Sequence, residues 1–435
     1  MGYIFFEYIN IMKFYFVGVF SMAKIRVAVV FGGQSSEHEV SRVSAQSVIE
    51  NIDRDKFDVE MIGITKEGQW LTYQGPVNKI GSGEWEAVAR KALLESASSN
   101  TSSTCIESAS PTAASTCIEG TSPDEVVCPG EVACPGEVAC PDTLERSMIT
   151  TNSAKNMISN TTKAPIDVVF PVLHGVNGED GTIQGLFELA GIPYVGCGVL
   201  GSAVGMDKAY TKIIFEKEGL PQGDYLVFSR KQIYNEIDEV VAAVEEKLTY
   251  PNFVKPSNAG SSVGVSKARD RQQLVDALKL AAKHDRRVLV EEFINGREIE
   301  CAVLGNDNPI ASVVGEVVPC HDFYDYKAKY QSGDSSRVDI PAKNLPSETV
   351  SKIREYAVRA FKCLDCCGLS RVDFFVHKET GEIFINEINT LPGFTQISMY
   401  PKLWAESGIP YTELITKLIE LAYERFEDNK REFDQ

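Results

Sequence analysis

Two short apolar runs, each ending in glycine, do most to limit what this chain can fold into. Lys24–Phe31 (KIRVAVVF) is a continuous, valine-rich run of strand length that stops at Gly32-Gly33. Pro165–Leu173 (PIDVVFPVL) has the same character and runs into the loop His174–Gly181. A run this apolar is buried on both faces, the mark of a parallel strand covered by helices. Ser41–Ile52 reads as a helix capped by Ser41 or Ser44, and Phe57–Ile64 as a further strand. The N-terminal region is therefore predicted to be an α/β domain with a parallel sheet. Ligands of such sheets bind beyond the carboxyl ends of the strands. That makes Gly32–Ser41 (GGQSSEHEVS) and His174–Gly181 (HGVNGEDG) candidate site loops. His174 is the functional histidine of the two loops, and His38 reads as structural.

Between them the regularity breaks. Residues 96–163 hold no Phe, Tyr or Trp, and they repeat themselves: STCIESASP returns as STCIEGTSP, and CPGEVA occurs twice in succession. Such a stretch cannot bury a core and is expected to be a disordered insertion. Five of the chain's eleven cysteines lie in it, at spacings that match no zinc pattern. An odd cysteine count in a 435-residue chain fits a reduced, cytoplasmic protein better than a disulfide scaffold. A net charge of −18 argues against nucleic acid or an anionic membrane as partner, so any cationic site must be local. Residues 1–22 are aromatic, but Glu7 and Lys13 interrupt them, and no stretch reaches spanning length. They read as an extension ahead of Met22 rather than as a stable membrane anchor.

Beyond the insertion, Met206–Gly219 reads as one amphipathic helix. Strands at Tyr225–Phe228 and Asn252–Lys255 flank a helix at Lys231–Leu248. Arg287–Phe293 and Glu298–Leu304 read as a strand pair turning at Asn295-Gly296. Helices are expected at Ser347–Leu364 and Tyr411–Phe426, with a hairpin of Leu369–Val376 and Ile383–Asn389 between them.

Three further segments suggest chemistry. Ser257–Gly264 (SNAGSSVG), with Lys255 before it and Lys267 after, has the backbone freedom and N–H density of an anion-binding turn, though it is not a Walker A loop. In the hairpin, side-chain alternation puts Arg371 and Asp373 on one face and Glu387 and Asn389 on one face, with Asp373 opposite Glu387. Two carboxylates and an amide oxygen make a hard-oxygen site for Mg²⁺ that still needs ligand phosphates. His321–Ser336 (HDFYDYKAKYQSGDSS) has the length and aperiodicity of a lid.

Taken in order, GGQSSEHEVS, HGVNGEDGTIQGLFELAGIPYVG, SAVGMDK, VKPSNAGSSVGVSK, VEEFINGREIE, FYDYKAKY, SRVDFF and INEINTLPGFT closely resemble the D-alanine–D-alanine ligase family of the ATP-grasp superfamily. The resemblance covers about 23–95 and 164–425. It implies an α/β fold in which an N-terminal α/β substrate domain (23–200, containing the 96–163 insertion) is followed by two ATP-grasp subdomains. These are a central one (201–293) and a C-terminal one (294–435) with the metal site and lid. The implied reaction, for peptidoglycan precursor synthesis and cell shape, joins two D-alanines through an acylphosphate made from ATP.

By the same resemblance, two Mg²⁺ or Mn²⁺ ions are held by Asp373, Glu387 and Asn389. ATP is bound by Lys208, Lys255, Gly260, Ser261, Ser262, Glu291, Glu292, Ile294, Glu298 and Lys329. Glu37 takes the first D-alanine's ammonium with His174 beside it. Ser398 and Lys329 take the second carboxylate, and Arg371 with the Gly393 N–H stabilises the oxyanion. Ser261 links Glu37 to the lid residue Tyr330, while Glu179 and Asp180 shape their loop. A homodimer is implied. Relatives that make D-alanyl-D-lactate lack the DYKAKY pattern around Tyr330; D-lactate and D-serine ligases of the same fold remain the alternatives.

Overall fold

The computed structural model describes residues 23–101, 165–260, 262–318 and 337–431, with side chains from 96 to 101 excepted. The residue-level expectations for 1–22, for most of the insertion, for Ser261, and for the lid with Lys329 and Tyr330 lie outside the described residues.

Among the described residues the architecture is mixed α/β, built on three sheets. In the first, β1 (Ile25–Gly32) is central and parallel to both β2 (Phe57–Ile64) and β4 (Val168–Val172), with β3 (Trp70–Tyr73) antiparallel at the edge. Helix α1 (His38–Asn51) follows β1, and α2 (Asn78–Ser82) and α3 (Trp85–Thr101) follow β3, so regular structure extends a few residues past the expected start of the insertion. Helix α4 (Thr182–Ala190) packs Ile183 and Phe187 on Ala28, Val30 and Val169 of this sheet.

Two expected elements are differently arranged. The first helix starts at His38, so neither Ser41 nor Ser44 caps it; both are buried within it. The Ser41 hydroxyl is used laterally, accepting the Gly32 N–H at 2.8 Å and donating to the Val172 carbonyl. It thus ties the ends of β1 and β4 together, holding the two candidate loops side by side. The helix expected at 206–219 starts two residues later, as α6 (Lys208–Lys217), and a helix the sequence did not mark, α5 (Val199–Met206), comes just before it. Asp207 separates them in an extended conformation (φ −89°, ψ 97°) and caps α6 through the Tyr210 N–H. An Asp at the N-cap outweighs the continuous apolar periodicity.

The second sheet, in the order β5-β8-β6-β7, is antiparallel: β5 (Tyr225–Ser229), β6 (Asn252–Pro256), β7 (Ser266–Ala268) and β8 (Arg287–Glu292). It carries α7 (Arg230–Asn235), α8 (Ile237–Lys247) and α9 (Arg271–His284). Their core, with Val240, Val244, Leu274, Leu278, Val288 and Val290, draws only on this region.

The third sheet runs β11-β10-β9-β12-β13: β9 (Gly296–Gly305), β10 (Ile310–Val318), β11 (Arg337–Asp339), β12 (Gly368–His377) and β13 (Ile383–Asn389). The strand pair expected around Asn295-Gly296 is therefore not a hairpin. Strand β8 pairs with β5 and β6, while β9 pairs with β10 and β12, so the turn crosses from one sheet to another. The reason lies in the cores. Val288 and Val290 pack under α9, whereas Ile299, Cys301 and Val303 pack under α10 (Ser347–Cys363). The other face of the third sheet meets α11 (Met399–Glu406), α12 (Tyr411–Asp428) and the first sheet, in a core shared by Val29, Phe170, Ala302, Leu369, Trp404 and Leu418. No helix among the described residues is long and apolar enough to cross a membrane.

Candidate active site

A cavity of about 810 Å³ opens where the three sheets meet. Of the residues singled out from the sequence, Glu37, His174, Lys208, Lys255, Gly260, Ser262, Glu291, Glu292, Ile294, Glu298, Arg371, Glu387, Asn389 and Gly393 line it. Asp373 lies just beneath, buried against Arg371, and Ser398 is beside Gly393 at the start of α11.

The floor comes from the hairpin β12–β13. Asp373 pairs in register with Glu387, and Arg371 with Asn389. Directly opposite residues of an antiparallel pair share a face, so the four polar side chains converge. Arg371 grips Asp373 through Nε and Nη2, both at 2.7 Å, and Asn389 Nδ2 donates to Asp373 Oδ2 at 3.1 Å. A bulge after Asp373 leaves Asn386 as the extra residue, since Phe374 pairs with Ile385. It lets Ile385 and Ile388, an odd and an even position, enter one core, and frees Asn386 to accept from Lys255 Nζ at 3.3 Å. On the far side of β12, Asp373 is opposite Glu300 of β9, whose carboxylate is 2.9 Å from Arg371 Nε. Burial opposes the Arg371 charge, but Asp373 and Glu300 outweigh it and hold the guanidinium protonated. Glu300 escaped notice in the sequence because its partner lies in a distant strand. Its signal was the acid–apolar–acid alternation of Glu298, Ile299 and Glu300.

The wall opposite belongs to the second sheet. Glu291 is buried between Lys212 Nζ (2.7 Å) and Lys255 Nζ (2.5 Å). Burial works against its charge, yet the two ammonium groups prevail and hold its pKa at about 2. The same pairing, together with Glu387, keeps Lys255 above the ordinary lysine range despite its burial. Lys212 is a second residue the sequence did not mark, since on α6 it looked like one more polar helix position. Glu292 accepts the Asp224 N–H at 2.7 Å, and Lys267 sits 3.8 Å over the Phe293 ring with Phe253 alongside. Lys208 Nζ donates to the Ala259 carbonyl at 2.9 Å and stands 3.5 Å from Glu387 Oε2, so it reaches from the glycine-rich loop to the floor.

The third wall is the pair of loops off the first sheet. Glu37 is buried close against two glycines. A Cβ on Gly175 would meet its Oε2 at 2.7 Å, and one on Gly260 at 2.9 Å. His174 is held by the Leu391 carbonyl at Nδ1 (3.0 Å) and by Ser44 at Nε2 (3.3 Å). Asp180 does shape the loop, accepting the Asn177 and Thr182 N–H groups. Glu179 does more than was expected of it, standing 3.5 Å from His174 Nδ1. Burial works against the His174 charge, but Glu179 and Glu37 outweigh it and raise its pKa; burial, with Glu37 nearby, raises that of Glu179. His38, whose Nδ1 donates to the Gly33 carbonyl at 2.9 Å, is packed against the turn. Gly393 is fixed by its neighbour Phe394, whose ring lies 5.9 Å from Phe170 and 5.5 Å from Tyr411.

Comparison with known proteins decides the family. The profile described as D-ala D-ala ligase N-terminus matches residues 26–197, and that described as D-ala D-ala ligase C-terminus matches 214–420. The chain belongs to the D-alanine–D-alanine ligase family. A family member from Ruminiclostridium cellulolyticum is 70% identical over 95% of this chain and 99% of its own length. One from Acetivibrio thermocellus is 60% identical with the same coverage. Among solved structures, the D-alanine–D-alanine ligase from Coxiella burnetii matches with 32% identity and a TM-score of 0.66, covering 93% of this chain and 95% of that one. The VanG D-Ala:D-Ser ligase from Enterococcus faecalis matches with 36% identity and a TM-score of 0.70, covering 92% and 100%. The ATP-grasp ligase fold is thus shared with both structures.

Proposed function

We propose that this chain ligates two D-alanines into D-alanyl-D-alanine, with ATP going to ADP and phosphate, as a step of peptidoglycan precursor synthesis in the cytoplasm. The observation that carries the reading is the facing of Asp373 and Glu387 across one hairpin, with Lys208 and Lys255 reaching over them from the glycine-rich wall. Phosphoryl transfer asks mainly for positioning and charge neutralisation, and this arrangement offers both.

The donor set suits two Mg²⁺ or Mn²⁺ ions. Asp373, Glu387 and Asn389 supply hard oxygens, and no three His, Cys, Asp or Glu among the described residues form a metal site of their own. Three oxygens would leave the octahedra of such cations to be completed by ATP phosphates. When bound, the ions neutralise phosphate charge during transfer. Lys208 and Lys255, with Lys329, hold the phosphates, and Gly260, Ser261 and Ser262 wrap them. Glu291, Glu292 and Ile294 border the adenine and Glu298 the ribose. Glu37, beside His174, holds the first D-alanine's ammonium while its carboxylate takes the γ-phosphoryl group. Ser398 and Lys329 orient the second D-alanine, whose amine attacks the acylphosphate. Arg371 and the Gly393 N–H receive the developing oxyanion. Tyr330, through Ser261 and Glu37, closes the lid against water.

The domain division (23–200, 201–293, 294–435) and a homodimer belong to the same reading. The fold's likeness to a D-Ala:D-Ser ligase makes D-serine the competitor to test. Purified protein is given ATP, Mg²⁺, D-alanine, D-serine and D-lactate together, and products are read by mass spectrometry. D-Alanyl-D-alanine with stoichiometric phosphate is expected; a mixed product in excess reassigns the second subsite. Glu387→Gln should lower turnover by about 10²–10³-fold with the fold intact, and near-normal turnover at saturating Mg²⁺ would contradict the metal assignment.

A further inference from the structure

One buried charge at the heart of the molecule takes no part in the scheme above. Asp207, between α5 and α6, does not line the cavity, and neither do its partners Ser257 and Arg287. Its Oδ1 accepts the Ser257 hydroxyl at 2.7 Å and the Tyr210 N–H at 3.3 Å, and its Oδ2 pairs with Arg287 Nη2. The backbone repeats the link: the Lys208 N–H donates to the Ser257 carbonyl (2.9 Å), the Ala209 N–H to Ser257 Oγ (3.1 Å), and the Ser257 N–H to the Arg287 carbonyl (3.0 Å). Arg287 is itself stacked 4.4 Å over the Tyr210 ring.

Three elements therefore meet on one carboxylate: the start of α6, which carries Lys208, the first residue of the glycine-rich loop, and the start of β8. Lys208 closes the ring by returning its Nζ to Ala259 in that loop. A glycine- and serine-rich loop left to itself would lose considerable entropy each time it ordered around a polyphosphate. Anchoring its first residues to the helix that bears the phosphate-binding lysine removes much of that cost before the ligand arrives.

We infer that Asp207 is a positioning residue that holds the glycine-rich loop and Lys208 together as one preformed cradle for the triphosphate of ATP. The inference rests on the reading of that loop as the ATP site. Asp207 contacts neither amino acid in this scheme, and the loop meets the first D-alanine's site only where Gly260 lies against Glu37, so its effect falls mainly on ATP.

Steady-state kinetics of the full chain test it, with ATP and D-alanine varied separately. Asp207→Ala is expected to raise KM for ATP about 10–100-fold, the range carried by hydrogen bonds to a charged group, with the D-alanine KM values within about twofold. Asp207→Asn, which keeps an oxygen acceptor for Ser257 but loses the Arg287 charge pair, falls between. Ser257→Ala, a change of one oxygen atom, should raise KM for ATP about 3–10-fold, and serves if Asp207→Ala does not fold. The double variant should be no worse than Asp207→Ala alone, because both changes cut the same link. Equal rises for ATP and D-alanine, or an unchanged ATP KM in the soluble variants, would overturn the inference. Failure of the underlying ATP reading shows separately, as absence of ADP formation by the unaltered protein.

Discussion

The second sheet and the other two are built on different plans. The first and third sheets share one apolar core, in which Val29 and Phe170 of the N-terminal strands pack with Trp404 and Leu418 near the C-terminus. The second sheet keeps its core to itself, Phe228 to Val290, and meets the other two through polar contacts, among them Lys255 to Asn386, Glu291 to Lys212, and Gly260 against Glu37. Apolar cores resist relative motion because they are close-packed, whereas polar contacts exchange readily with water and ligand. The hairpin floor and the Glu37 loop are thus set in one body and the glycine-rich wall in another, and the polar contacts of Asp207 and Lys212 at α6 hold the second against the first.

The hardest test of that contrast is to open the shared core. Trp404→Ala, at a buried indole, should cost about 3–5 kcal/mol. Calorimetry should show the first and third sheets melting together at lower temperature; separate melting of the two would break the comparison. Leu278→Ala, in the second sheet's private core, should cost about 2–5 kcal/mol. Hydrogen exchange should then quicken through 225–292 and stay unchanged in β1, β4 and β12. Exchange that quickens everywhere would mean that the two bodies unfold as one.

Charge sharpens the same contrast. Glu291 has a pKa near 2 against an ordinary 4.5, so it contributes stability fully above about pH 4.5, and that contribution fades as pH falls towards 2. Glu291→Gln should therefore cost on the order of 3 kcal/mol near neutrality. The gap to the unaltered protein, followed by melting temperature, should close between pH 4.5 and 2. A gap independent of pH would mean that the two lysines do not depend on the carboxylate charge. Smallest is the polar bridge between the bodies. Asn386→Ala removes one partner of Lys255 and should cost about 1 kcal/mol of ATP binding. A fewfold rise in KM for ATP with an unchanged melting temperature is the expected pattern; a large loss of stability would show that the bridge holds the fold.

Legibility in the sequence followed the range of the interaction. Side-chain alternation along two strands joined by a short turn was enough to set Asp373 against Glu387, because strand period and turn length act over a few residues. The bulge at Asn386 was not visible, since it answers to the burial of Ile385 and Ile388 under a helix from elsewhere in the chain. Asp207 was visible in principle as a cap residue, but the apolar pattern drew the expected helix start back to Met206.

By itself, then, the sequence determined the valine-rich parallel strands, the glycine-rich turn between β6 and β7, the hairpin that sets Asp373 against Glu387 and, through its ordered motifs, the family. Tertiary structure alone decided that β8 and β9 part into different sheets, that Lys212 joins Lys255 on Glu291, that Glu300 shares Arg371 with Asp373, and that Asp207 meets Ser257 and Arg287. The physical reason is common to all four. Each is a choice of partner among chemically equivalent candidates, made by which apolar faces bury together, and no local spacing encodes that choice.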